Sequence, residues 1–144
     1  MQDPAISRPH HLGTSLAIVR LTVAAFLLVW SVEKILFPDR AAGIFKAFYF
    51  IESLPVMAAI GIGLVQTALV LAFACGLWKI WTYGIVLLMH AVSTLSTIAQ
   101  LADPYEGINH LFWAAVPVLG ALVALFLLRE SDAWLTVGGV RKEN

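Results

Sequence analysis

The sequence predicts an all-α fold, a polytopic membrane four-helix bundle with a short interfacial helix in the first loop. Two observations carry that prediction. Of 144 residues, 60% are hydrophobic and 12% are charged, against about a quarter charged in a soluble domain, and the mean hydropathy is +0.88. The apolar residues also gather into long runs divided by short polar or basic segments, which excludes a solvated globule or a disordered chain. Nine basic and nine acidic side chains leave no net charge, so no long-range field draws in a nucleic acid. The single cysteine, Cys75, excludes an internal disulfide, a CxxC redox motif and a cysteine-built zinc site.

A spanning helix needs roughly 20 apolar residues to cross about 30 Å of hydrocarbon. Residues 1–144 read as one domain with spans over 16–37, 54–77, 80–102 and 111–128. In the first, the uncharged run from Leu21 to Val32 makes only about 18 Å of helix. Crossing therefore takes in Arg20, Glu33 and Lys34. Arg20 and Lys34 lie near opposite ends, where long basic side chains reach the headgroups. A basic start before an apolar stretch also suits a secretory signal, but no A-x-A-like cleavage site follows, so the segment reads as a retained helix.

Pro38-Asp39 then starts a short helix whose Ile44, Phe45, Phe48 and Ile51 share one face. That face rests either in the outer interface or over the mouth of the bundle. The second span has Gln66 and Thr67 as its clearly polar positions, and the Trp78-Lys79 turn joins it to the third. Asn109-His110 and Arg129-Glu130 bound the fourth. The tail from Ser131 is short and polar apart from Trp134 and Leu135, which suit the interface. Arg8, Arg20, Lys79, Arg129, Arg141 and Lys142 fall on one side, against Lys34, Arg40 and Lys46 on the other. That bias puts both termini in the cytoplasm.

Polar groups inside hydrocarbon each need an account. Gln66 and His90 lie about 16 Å and 18 Å from the outer ends of neighbouring antiparallel helices, so a Gln66–His90 hydrogen bond accounts for both. His90, Ser93, Thr94, Ser96, Thr97 and Gln100 share an arc of about 160° on the third span. The arc is either a polar groove for a quinone headgroup or a proton path, or a packing seam of satisfied hydroxyls. As a ligand-binding groove it comprises Glu33, Gln66, His90, Thr94, Thr97 and Gln100. Glu33, a carboxylate within a span, is a functional candidate by type. Its structural alternative is an ion pair with Arg40 or with Lys34 of a second copy.

No catalytic motif is present, neither G-x-S-x-G, a phosphate-binding glycine loop nor H-E-x-x-H. No metal site is expected. His90 and His110 differ in depth by roughly 15 Å, too far to share one haem iron, and the His10-His11 pair in the N-terminal tail does not share a helix face. Small residues recur at four-residue spacing in Ala59-Gly63-Thr67, Ala68-Ala72-Gly76 and Gly120-Ala124. They permit close helix approach within the bundle or in a homo-oligomer. Pro117 kinks the fourth span.

Three stretches carry a further reading: W-S-V-E-K-I-L-F-P after Arg20, then F-K-A-F-Y-F-I-E-S-L-P, then G-L-V-Q-T-A-L-V-L-A-F-A-C-G-L-W. Together they resemble the DoxX-like and MauE-like membrane proteins, in element order over residues 16–129. The resemblance implies a four-helix bundle in the bacterial inner (cytoplasmic) membrane. DoxX-like members are linked to thiosulfate:quinone oxidoreductases, and MauE-like members to maturation of periplasmic, disulfide-rich dehydrogenases. It implies a non-catalytic accessory or anchoring subunit whose partners are the lipid bilayer and a periplasmic or membrane oxidoreductase. No cofactor is built into the chain on this reading, and a quinone is the ligand near Gln66, His90 and Gln100. Two departures matter. Many relatives carry Glu where Gln66 stands, and the paired cysteines needed to pass disulfides are missing. Two other classes stay open. The mid-depth polar groups suit a small solute or proton transporter or channel, though no inverted repeat is evident. A purely structural subunit of a larger membrane complex is the other.

Overall fold

The computed structural model describes residues 11–137. Among them it is all-helical. Helix α1 (Leu12–Leu36) runs on to Phe37, where the ring of Pro38 disfavours a helical conformation for the preceding residue. Helix α2 (Pro38–Tyr49) opens with Pro38 at its first position and Asp39 in its first turn, both suited to a helix N-terminus. Helix α3 (Val56–Ala74) starts directly after Pro55, and α4 (Lys79–Ser96) follows a tight turn. A five-residue α5 (Ile98–Ala102), a 3-10 segment (Asn109–Ala114) and α6 (Ala115–Leu127) complete the order.

Three helical segments are long and apolar enough to cross a membrane: Leu12–Leu36, Val56–Ala74 and Asn109–Leu127. Helix α1 packs most extensively on α3, and α4 on α6, with further α3–α4 and α1–α6 contacts. Their shared core holds Val23 and Leu27 from α1, Val70 and Phe73 from α3, Tyr83 and Val86 from α4, and Leu122 and Leu125 from α6. The outward faces are as apolar as the inward ones. Val29, Val65, Leu88 and Leu127 are all exposed, as expected where hydrocarbon rather than water is the solvent.

Small residues set the closest approach. Ala59 and Gly63 of α3 are buried against α1. A Cβ on Gly63 would lie 2.8 Å from Ile35 Cγ1 and 3.0 Å from the Ser31 carbonyl oxygen. One turn on, the Thr67 hydroxyl donates to Ser31 Oγ at 3.0 Å. The Gly120-Ala124 row does less here, since a Cβ on Gly120 would meet nothing within 4 Å.

The α3–α4 turn is a Schellman closure. Gly76 has φ +65°, its amide donates to the Phe73 carbonyl, and the Leu77 amide donates to the Ala72 carbonyl. A Cβ on Gly76 would also sit 2.7 Å from Thr136 Cβ. Gly76→Ala is therefore expected to cost about 1–3 kcal/mol through backbone strain alone. The loss is measurable as a lower thermal midpoint in detergent, and an unchanged midpoint would contradict the turn geometry.

Thr136 is there because the chain after α6 folds back. Arg20 of α1 is fully buried and pairs with the fully buried Asp132. Its Nε donates to the Ala74 carbonyl at 3.0 Å, and Nη2 donates to the Trp134 and Leu135 carbonyls at 3.0 and 2.9 Å. The Tyr83 hydroxyl donates to the second Asp132 oxygen at 2.7 Å. Lys79 Nζ donates to the Asp132 carbonyl, and the Val137 amide to that of Cys75. The strap thus ties the start of α1, the end of α3 and the start of α4 together.

Several expectations need correction. Arg20 does not reach toward headgroups; it is sealed in an ion pair, because a buried guanidinium is tolerable only when its donors are matched. The tail is not merely a polar, interfacial extension, since Asp132 is as buried as any core residue. The helix expected to 102 stops at Ser96. The Thr94, Ser96 and Thr97 hydroxyls donate to the His90, Ser93 and Thr94 carbonyls, and such back-bonding bends helices. The helix expected from 111 begins as a 3-10 segment and becomes α only at Ala115. Pro117 falls within that first α turn, where its missing N–H is tolerated. Arg8, His10, Arg141 and Lys142 lie outside the described residues.

Candidate functional site

At the end of the molecule opposite the strap, a cavity of about 540 Å³ opens between the helices. Helix α1 contributes Phe26, Trp30, Ser31 and Lys34; α3 contributes Gln66; α4 contributes Met89, His90, Ser93 and Ser96. The apolar face of α2 closes one side with Ile44, Phe45, Phe48 and Tyr49. Phe112 of the 3-10 segment meets Phe48 at 5.7 Å between ring centroids. The amphipathic face read from the sequence is therefore used to cover the cavity, except that Ile51 falls beyond the helix.

His90 organises the inner end. The residue is 6% exposed, and its ring stands edge-on to Phe26, at 6.2 Å and 84°. Nε2 lies 3.0 Å from the Ala115 carbonyl oxygen. A carbonyl only accepts, so Nε2 carries the proton, and in the neutral ring Nδ1 is left as an acceptor. The expected Gln66–His90 hydrogen bond is absent among the described residues. Helix α4 packs more extensively on α6 than on α3, so the imidazole takes its partner from α6, and Gln66 lines the cavity with no hydrogen-bond partner among the described residues.

The sequence-derived set divides. Gln66, His90 and Thr97 line the cavity. Thr94 is buried behind it with its hydroxyl satisfied by His90. Gln100 is on α5, past the break at Thr97, and does not line it. Glu33 also lies outside the lining, 3.8 Å from Arg40 across the α1–α2 junction. That ion pair is the structural alternative the sequence left open for it.

The sequence reading passed over Lys34 as a cavity residue. Its Nζ donates to the Trp30 carbonyl at 3.0 Å, and no carboxylate lies within ion-pairing distance among the described residues. It also passed over Asp132. The signal existed: Arg20 within a long apolar helix demands an acid, and the sequence after α6 offers one in Asp132. No group of three or more His, Cys, Asp or Glu side chains could hold a metal ion among the described residues. Cys75 is exposed and unpaired in a disulfide. No protein family, curated protein or solved structure matches the chain in comparison.

Proposed function

We propose that this chain is a DoxX/MauE-like four-helix bundle of the bacterial inner membrane, an accessory or anchoring subunit for a redox partner that holds a quinone-type ring in its cavity. In this reading α4 is the third of four spans, α2 lies at the outer interface over the cavity, and both termini face the cytoplasm. The observation that carries it is the cavity itself. Aromatic walls from Phe26, Trp30, Phe45 and Phe112 enclose a polar inner end made by Gln66 and His90. Ligand pockets of about 300–1,000 Å³ with apolar walls and few convergent polar groups are the usual form of a small-molecule site.

The chemistry is one of holding rather than transforming. The Gln66 amide can donate to a ring carbonyl, and His90 Nδ1 can accept from a ring hydroxyl, so both oxidation states find a partner. Phe73, Tyr83 and Leu125 fill the opposite half of the molecule and the strap closes that end. This favours retention of a ligand over its passage, and so the subunit reading over a channel.

The test is binding of decylubiquinone to the purified protein in nanodiscs, followed by quenching of the tryptophans. Gln66→Ala and His90→Ala are each expected to weaken binding by about tenfold, the worth of one lost hydrogen bond to a buried group. Equal binding by both variants and wild type removes the quinone site. Co-purification of an oxidoreductase in mild detergent tests the accessory role separately.

A further inference from the structure

Among the residues lining the cavity, Lys34 is the one that carries a fixed charge. Its neighbour Glu33 is turned to Arg40, and Lys46, the other cation of the α2 region, is paired with Glu52 at 3.0 Å. Lys34 Nζ spends one of its three donors on the Trp30 carbonyl, which leaves two for a ligand. It stands two helical turns from Phe26 on α1, about 12 Å along the axis from the level of His90. The cavity thus has a cationic mouth, a long apolar middle and a polar inner end.

We infer that the cavity takes a single-chain amphiphile with a monoanionic carboxylate head, seated so that the head meets Lys34. The charge argues for an anion, because an ammonium at the mouth of an apolar cavity, with no ion pair of its own among the described residues, is half of one. One lysine with two free donors matches a carboxylate, and a phosphomonoester dianion would leave a second charge unmatched. The chain then lies against Phe26, Trp30, Phe45 and Phe48, beneath α2. This rests on the cavity being a ligand site, as proposed above, and not on that ligand being a quinone.

The experiment uses the whole protein in nanodiscs of zwitterionic lipid and three probes: 12-bromododecanoate, 12-bromododecanol and decylubiquinone. Trp30 lines the cavity, so a bromine bound there quenches it. Bromododecanoate is expected to quench saturably, with bromododecanol at least tenfold weaker, and Trp30→Phe is expected to abolish the saturable part. Lys34→Gln is expected to weaken bromododecanoate binding at least tenfold while leaving bromododecanol unchanged, and Lys34→Arg to stay within threefold of wild type. The comparison of acid with alcohol on the wild-type protein needs no variant, so misfolding of Lys34→Gln does not shelter the inference.

Equal quenching by acid and alcohol overturns it and makes Lys34 an ordinary interfacial anchor. Binding of decylubiquinone with no saturable bromododecanoate binding overturns this inference and leaves the quinone reading standing. The reverse pattern upholds the inference and removes the quinone. Loss of all three signals overturns both.

Discussion

Asp132→Ala is expected to destabilise the protein by about 3–5 kcal/mol, the cost of breaking a buried ion pair by removing one partner. Arg20 and Asp132 are both fully buried, so neither water nor salt can replace the lost carboxylate. The guanidinium keeps its three backbone carbonyl acceptors on Ala74, Trp134 and Leu135, but its charge is left unmatched. The Tyr83 hydroxyl loses its acceptor at the same time. Asp132→Asn preserves volume and an acceptor for Tyr83, and is expected to cost less than Asp132→Ala. The measurement is denaturant unfolding in micelles followed by tryptophan fluorescence, in low and high salt. Because the pair is shielded, the difference between wild type and Asp132→Ala is expected to persist at high salt. An Asp132→Ala protein that unfolds at the wild-type denaturant concentration contradicts the strap.

Gly63→Val is expected to cost about 1–3 kcal/mol by overpacking and to weaken any cavity ligand as well. The first added carbon already lies 2.8 Å from Ile35 Cγ1 and 3.0 Å from both Lys34 Cβ and the Ser31 carbonyl oxygen. The carbonyl is backbone, so the whole of α1 must move off α3 rather than one side chain. That movement pulls apart the Thr67–Ser31 hydroxyl pair and displaces Trp30, Ser31 and Lys34 from the cavity wall. Gly61, on the same helix, supplies the control. A Cβ there meets nothing within 4 Å, so Gly61→Val is expected to change stability and binding little. Thermal unfolding and the bromododecanoate assay read the two effects, and similar behaviour of the two variants would place the α1–α3 contact elsewhere.

The helices were largely legible because their signals are local. Long apolar runs and Pro38 and Pro55 at helix starts act on the backbone within a few residues, whereas Gly76, read as a packing residue in a span to 77, instead turns the chain after α3 ends at Ala74. The spacing of Ile44, Phe45 and Phe48 gave the apolar face of α2, and Ala59-Gly63-Thr67 gave a face for close helix approach, because helix periodicity converts sequence spacing into a shared face; that this face meets α1 came from the structure. The boundaries at Ser96 and Ala115 were not legible. They depend on hydroxyls that back-bond in series and on where a proline falls within a turn.

The candidate site was legible only in part. Depth counting put Gln66 and His90 at one level, and both line the cavity. It could not say which neighbour His90 faces, because helix rotation is set by packing against all neighbours at once. Gln100 was carried off by the bend at Thr97, and Glu33 by Arg40, a residue of the next helix.

The sequence by itself determined that the described chain is all-helical with apolar helices of membrane-crossing length, where the second and third helices begin, and that polar groups share one face of α4. Those properties follow from composition and from periodicity along one helix. Only the tertiary structure decided that Arg20 meets Asp132, 112 residues away, that His90 bonds Ala115 and leaves Gln66 free, and that α2 roofs a cavity with Lys34 at its mouth. Each of these is a pairing between distant segments. Buried charges and hydrogen-bonding groups state in sequence that they need a partner, and the packing of the helices chooses which one they get.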